Sequence, residues 1–360
     1  MENGISLYPG LDNTLAENIA LLKDAHDAGI KRIFTSLHIP ETNKAKLKQE
    51  LTVLLKLARQ YDMEVISDVS PATLSLLDIK TFNPSLFRML GITTLRLDDG
   101  FSLDDIAALS QKKQHLRIQL NASTITSSML KKLTAKGTDF SQIDALHNFY
   151  PRRGTGISEE FLIRKTAMLH KFGIKTSAFV PSFAGKKRSP LYDGLPTLED
   201  HRNESTDIAA RHLVSLGIDS VFIADSRPTA AEIKAVGSLQ ERVVLRAKLL
   251  TSDPLTKKIL NQVFSARADE ARDAIRASES RQLLKNFTGC IEPENTSLRP
   301  AGAVTIDNKN YQRYMGELQL IKNPQTADAR TNVVAMIDEN EIKMLSYITP
   351  GRKFSLLLHE

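Results

Sequence analysis

One pattern returns eight times along the first two-thirds of the chain. A polar amphipathic stretch ends near glycine, and a β-branched apolar run follows that finishes in polar residues. The apolar runs are GISLY (4–8), KRIFTSL (31–37), EVISDVS (64–70), TTLRLDD (93–99), LRIQLNAS (116–123), DALHNFY (144–150), KTSAFVPS (175–182) and DSVFIADS (219–226). Helical patterns such as LAENIALLKDAHDAG and ISEEFLIRKTAMLHKFG separate them. The junctions DAGI, MLGI, KFGI and SLGI put glycine just past a last helical turn. Eight strands in strict alternation with helices predict a (β/α)8 barrel. A doubly wound open sheet would usually have fewer strands and often a glycine-rich phosphate turn after the first, where this chain has YPGLDN.

From about residue 240 the pattern changes. RVVLRAKLL, AVTIDN, GELQLI, TNVVAMI and KFSLLLHE are short apolar runs with turn residues between them, while ARADEARDAIRASESRQLL (266–284) reads as one helix. The chain therefore divides into a barrel over 1–238 and a small β-rich domain over 239–360.

Composition narrows the partners. The 41% hydrophobic and 25% charged fractions are those of an ordinary globular protein. The single cysteine, Cys290, rules out an internal disulfide and fits a reducing compartment. MENGISLYPG lacks the basic and apolar regions of a secretory signal, and no run approaches ~18 uninterrupted apolar residues, so a cytoplasmic protein without membrane insertion is expected. The net charge of +6 is spread along the chain, with no RNA-binding signature and no tryptophan to stack on bases. A small anionic ligand is a better expectation than nucleic acid.

In (β/α)8 barrels the chemistry sits at the C-terminal ends of the strands. Those ends carry Glu41 just beyond strand two, Asp68 on strand three, Asp98 and Asp99 on strand four, and Asn121 on strand five. Strand six adds His147, Asn148 and Tyr150, and strand eight Asp225. The pleat turns Arg96 and Asp98 into the barrel, and likewise Arg117, Gln119 and Asn121. Arg96 and Arg117 are then possible ion-pair partners for the carboxylates, which is the purely structural reading of that charge. No strand end carries the lysine of a Schiff-base aldolase. A lone histidine at a strand end does not suit a histidine-rich metal site, so no metal and no cofactor are expected, although carboxylates with a histidine could still hold a magnesium ion. Several carboxylates with amide and aromatic neighbours suit a sugar pocket, where glycoside hydrolysis needs one protonated and one ionised carboxyl. Candidates stand on strands two, three, four and eight, and spacing does not select the pair.

Cations follow strands six and seven: Arg152 and Arg153, then AGKKRSPLYDGLPTLEDHR (184–202) with Lys186, Lys187, Arg188, Tyr192, Glu199, His201 and Arg202. Barrel phosphate sites often lie near strands seven and eight, and arginine suits phosphate geometry, although a solvated basic loop would look the same. The second domain concentrates Arg299, Asp307, Asn308, Tyr311, Tyr314, Glu317 and Gln319, which suit either ordinary surface or a ligand wall.

ISLYPG, RIFTSLHIPE, DVSP, LRLDDG, LNAST, HNFYPR, GLPTLEDHR, ESR, TIDNKNY and GELQ, in this order across essentially the whole chain, resemble the landmarks of a bacterial family. That family, once catalogued as a domain of unknown function, is the 6-phospho-N-acetylmuramidase family of peptidoglycan recycling. The resemblance implies a TIM barrel followed by a cyclophilin-like β domain. It also implies cytoplasmic cleavage of MurNAc 6-phosphate-GlcNAc to MurNAc 6-phosphate and GlcNAc. The phosphate and lactyl carboxylate of that disaccharide would give the cationic loops a purpose. A lyase or isomerase acting on another phosphosugar, or a non-enzymatic sugar-binding protein, would need the same pocket. On the leading reading the catalytic carboxylates lie among Glu41, Asp68 and Asp98, with Asp225 in reserve, and the second domain helps to wall the substrate. Alternation puts at most one of His147 and Asn148 fully inside. Past the bend at Pro151, Arg152 rather than Arg153 is expected to join Arg188 or Arg202 on an anion.

Overall fold

Glycine ends helices where the sequence places it. Gly29, Gly91, Gly173 and Gly217 follow helical turns with φ of 79°, 98°, 72° and 92°, a left-handed conformation that side chains with a Cβ resist. The structure is a computed structural model that describes residues 1–37, 39–69, 82–97, 100–111, 116–287 and 289–360. It divides into two units, Met1–Gln240 and Glu241–Glu360.

In the first unit the strands are β1 (Gly4–Ser6), β2 (Arg32–Ser36), β3 (Glu64–Val69), β4 (Thr94–Leu97), β5 (Arg117–Asn121), β6 (Ile143–Leu146), β7 (Lys175–Val180) and β8 (Ser220–Ile223). Each lies parallel to the next and β8 pairs back to β1, closing the expected (β/α)8 barrel. Around it run α1 (Leu15–Asp27), α2 (Lys44–Gln60), α3 (Pro84–Leu90), α4 (Leu103–Leu109), α5 (Ser127–Ala135), α6 (Glu159–His170), α7 (Thr206–Ser215) and α8 (Ala230–Gly237). Thr14, Ser102 and Thr229 start three of them with reciprocal capping boxes, each satisfying N–H groups that a helix leaves open at its first turn.

The barrel interior is layered. At the N-terminal end of the strands Arg32 meets Glu64 at 2.7 Å and Asp144 at 2.5 Å. Gln119 donates to Asp144 at 3.0 Å and the Thr94 hydroxyl donates to Glu64. Burial opposes charge on Glu64, but the Arg32 guanidinium and the Thr94 hydroxyl hold its carboxyl below the usual range. Above this layer Phe34, Ile66, Phe179 and Phe222 pack together, with Phe34 edge-on to Phe179 at 5.2 Å. Each buried ring contributes about 1.5–3 kcal/mol through area removed from water. The Phe222 ring passes so close to β1 that a Cβ on Gly4 would stand 2.1 Å from it, so Gly4→Ala should break the layer. The third layer, toward the C-terminal ends, is polar again.

The second unit is a curled, mixed seven-stranded half-barrel, the β-rich fold that the resemblance implies. It contains β9 (Val243–Leu249), β10 (Val263–Ser265), β11 (Ala274–Arg276), β12 (Ala303–Asp307), β13 (Leu318–Ile321), β14 (Thr331–Ile337) and β15 (Lys353–His359), in the order β10-β15-β9-β14-β12-β13-β11. One face buries Leu245, Phe264, Ile306, Leu318, Leu320 and Phe354, packed on α9 (Pro254–Leu260) and α10 (Ser280–Asn286). The stretch 266–284 is not one helix. It holds strand β11, paired antiparallel with β13, and only then α10. Its alanine and arginine content favours helix locally, but pairing with β13 and burial of Ala274 and Ile275 override that preference.

Candidate active site

Where β2, β3, β4, β6 and β7 end, a cavity of about 480 Å³ opens. The β2 end and the residues after it supply Ser36, Ile39, Pro40 and Glu41, β3 supplies Asp68, and β4 supplies Arg96. Beyond β6 come Asn148, Phe149 and Pro151, and after β7 come Arg188, Pro190 and Leu191.

The polar groups are linked. The Arg96 guanidinium pairs with Asp68 at 2.7 Å and donates to the Asn148 side-chain oxygen at 2.5 Å. Asn121 donates to that same oxygen at 3.1 Å. The parallel register sets Asp68 beside Arg96, so the strands themselves deliver the pair. Glu41, by contrast, is exposed in the turn after β2. Arg188 is buried over two rings, Tyr8 at 5.2 Å and Phe149 at 4.9 Å from its central carbon. The Tyr8 hydroxyl donates to the Ala224 carbonyl at 2.8 Å, and burial pushes the phenol up to about 12.

Thus Glu41, Asp68, Asn148 and Arg188 of the expected set face one cavity, with Asn121 immediately behind Asn148. Asp98 lies outside the described residues. His147 does not line the cavity: it is fully buried, 3.1 Å from the Ser123 hydroxyl, and burial pushes its imidazole down to about 3. Asp225 is also fully buried and does not line the cavity. Its oxygens accept the N–H groups of Ser182 at 2.8 Å and Arg188 at 3.0 Å, while burial raises its carboxyl to about 6.

Glu199 and Arg202 serve the loops. Arg202 grips Glu199 with two bonds of 2.7 and 2.8 Å and donates to the carbonyls of Tyr150 and Gly194 at 2.9 and 3.2 Å. Glu199 accepts the N–H groups of Gly154 and Gly156 at 2.9 and 2.8 Å, and the Arg202 bonds together with these hold its carboxyl at about 2. His201 is buried against His212 at 2.9 Å. Tyr192 is exposed and Tyr150 half-buried, neither among the cavity residues. Arg152 is exposed, and Arg153 pairs with Asp193 at 2.9 Å.

The second-domain candidates lie together in their own unit. Asp307 accepts from Thr331 at 3.1 Å, and burial raises its carboxyl to about 7. Glu317 pairs with Arg276 at 2.7 Å and accepts from Gln319 at 3.3 Å. Asn308 is buried against Asn332 at 2.8 Å. Tyr311 donates to Asp328 at 3.3 Å, Tyr314 stacks with Arg281 and Arg313, and Arg299 donates to the Thr326 carbonyl at 3.0 Å.

Sequence reasoning missed Tyr8, Ser36 and Phe149. Phe149 escapes the alternation rule because β6 stops at Leu146 and the next residues no longer follow a pleat. The aromatic positions in ISLY and HNFY, near a cation-rich loop, were the available signal.

Among the described residues no three histidine, cysteine or carboxylate side chains gather to hold a metal, and no helix is long and apolar enough to cross a membrane. Comparison with known proteins then assigns both units. Residues 3–238 match the family 6-phospho-N-acetylmuramidase, N-terminal, and residues 243–357 match 6-phospho-N-acetylmuramidase, C-terminal. The crystal structure of an uncharacterized B. cereus protein is 30% identical over 99% of this chain and 100% of that one, with a TM-score of 0.83. A conserved Enterococcus faecalis protein with an unknown function is 33% identical over 100% of this chain and 97% of its own, with a TM-score of 0.69. No curated protein matches. With both family domains matched in order along the chain, and the first unit's cavity holding carboxylates and guanidinium groups, the chain belongs to the 6-phospho-N-acetylmuramidase family, a family of glycosidases.

Proposed function

We propose that this cavity hydrolyses MurNAc 6-phosphate-GlcNAc to MurNAc 6-phosphate and GlcNAc, in the cytoplasm, as a step of peptidoglycan recycling. The observation that carries the reading is the convergence of Glu41 and Asp68 on one cavity, with a guanidinium fixed on Asp68. Glycoside hydrolysis passes through an oxocarbenium-like state and needs two carboxyl groups in different roles. Asp68 sits on a barrel strand and is held by Arg96, which suits the group that must face the positive anomeric carbon from a fixed position. Glu41 sits in a turn and is exposed, which suits the group that protonates the leaving oxygen and then admits water. Asn148, its oxygen already engaged by Arg96 and Asn121, offers its amide N–H groups to a sugar hydroxyl. Arg152 and Arg188 are the cations offered to the phosphate and the lactyl carboxylate.

The test is incubation of the full chain with MurNAc 6-phosphate-GlcNAc and with its unphosphorylated form, followed by mass spectrometry of the products. Cleavage of the phosphorylated disaccharide with uptake of one water is the expected result. Recovery of both disaccharides unchanged would overturn the reading, and EDTA-sensitive elimination without water uptake would redirect it to a lyase.

A further inference from the structure

A phosphate bound by a (β/α)8 barrel usually settles among the loops after strands seven and eight, on backbone N–H groups. In this chain those N–H groups already serve a carboxylate. Glu232 is buried and accepts the N–H groups of Phe183 at 2.6 Å, Ala184 at 2.9 Å and Thr229 at 2.8 Å. It also accepts the hydroxyls of Ser182 at 2.8 Å and Thr206 at 2.7 Å. An incoming phosphate would have to displace an anion whose donors are all in place.

The cavity holds a different anion receptor. Arg96 is committed to Asp68 and Asn148, but no carboxylate lies within ion-pair distance of Arg188 among the described residues. Its Nε donates to the Ser189 carbonyl at 3.2 Å, and the rings of Tyr8 and Phe149 fix its plane. A side-chain hydrogen bond with the Tyr8 phenol engages part of the guanidinium, and its remaining N–H groups are donors of the kind that match phosphate oxygens. The main chain beneath it is held as well, because Asp225 accepts the N–H of Arg188 itself and that of Ser182 at the loop's start.

We infer that Arg188 is the phosphate-reading residue of the cavity and Asp225 its positioning residue, which reaches the substrate only through the Arg188 main chain. The inference rests on the proposed function for the identity of the sugar, while the anion contact can be measured without turnover. Calorimetry on the full chain should compare MurNAc 6-phosphate with MurNAc, which keeps the lactyl carboxylate and lacks the phosphate. Arg188→Met should weaken MurNAc 6-phosphate roughly ten- to a hundredfold, as expected for a charge-assisted contact to an anion, and leave MurNAc within about threefold. Arg188→Lys should recover part of the loss. Asp225→Asn should show the same phosphate-selective weakening, and the double variant should be no worse than Arg188→Met alone. Asp225→Glu, which keeps the charge but shifts its reach, should give the same selectivity and guards against an amide that does not fold. Equal weakening of both sugars, or loss of MurNAc alone, would overturn the phosphate assignment. Lost turnover of saturating phosphorylated substrate in folded Asp225→Asn would overturn the positioning role. Wild-type protein that binds phosphate through Arg188 yet cleaves nothing would sink the proposed function and leave this inference standing.

Discussion

Two polar layers occupy the inward face of the same barrel and differ in what surrounds them. In the lower, Arg32 stands against both Glu64 and Asp144, and none of the three lines the cavity. In the upper, Asp68 and Arg96 form a similar pair at 2.7 Å, but they open on about 480 Å³ beside Glu41 and Arg188. Inward charge alone therefore does not pick out a site. Position along the strand and adjoining open volume make the upper pair the candidate for chemistry and the lower one the candidate for packing.

The sharpest way to break that comparison is to neutralise one carboxylate in each layer. Asp68→Asn should cost ~10²–10⁴ in kcat with the fold retained, the usual penalty for an essential acid or base. Asp144→Asn should cost roughly 3 kcal/mol of stability by stripping a buried guanidinium of one partner, and leave turnover per folded molecule near wild type. Denaturant titration and steady-state kinetics on both variants decide it; a reversed pattern would show that the lower layer carries the chemistry. Glu41→Gln comes next, with an expected loss of about 10² in kcat and little change in unfolding midpoint. Full activity of that variant would move the second carboxyl role to a residue not yet placed.

Smaller effects sharpen the edges of the site. The imidazole of His147 sits at about 3 in the folded protein, below its ordinary 6.5, so the unfolded chain takes up that proton first. Stability from this group is intact above pH 6.5 and falls as pH drops toward 3, by about 2 kcal/mol between pH 6.5 and 5. Asp225 and Asp307, raised to about 6 and about 7, tilt the opposite way in acid, but they do so equally in wild type and in a His147 variant. His147→Asn should therefore be less stable at pH 7.5 and close that gap by pH 5, measured by denaturation at both. A constant gap would mean that His147 is solvated and nearer the site than its burial indicates. The smallest effect is expected at Arg152, exposed beside the rim: Arg152→Ala should cost about threefold to tenfold in KM for the phosphorylated substrate, and Arg153→Ala almost nothing. Equal effects of the two would make this loop a solvated surface.

Strand order and inward residues were legible because they depend on short-range rules. Period, glycine and pleat alone locate β1–β8 and turn Arg96 and Asn121 inward. The sequence does not disclose how a polar side chain is already engaged. Asp225 is bound to N–H groups 43 and 37 residues away, and Arg202 to carbonyls eight and 52 away, so neither commitment leaves a local pattern. The strand at 274–276 was hidden for the same reason, since its partner β13 lies some 45 residues further on and its own residues favour helix.

The place of β15 in the second sheet has a consequence for biosynthesis. It is inserted between β10 and β9, parallel to the latter, although it is made last of the seven. A nascent chain that has emerged only as far as residue 350 holds two separated sheet edges, with Phe264 and Leu245 lacking the strand that seals them. The ribosome must deliver the last stretch before this unit can close, and a message cut short there would release a chain with unpaired edges, the kind that chaperones and proteases recognise.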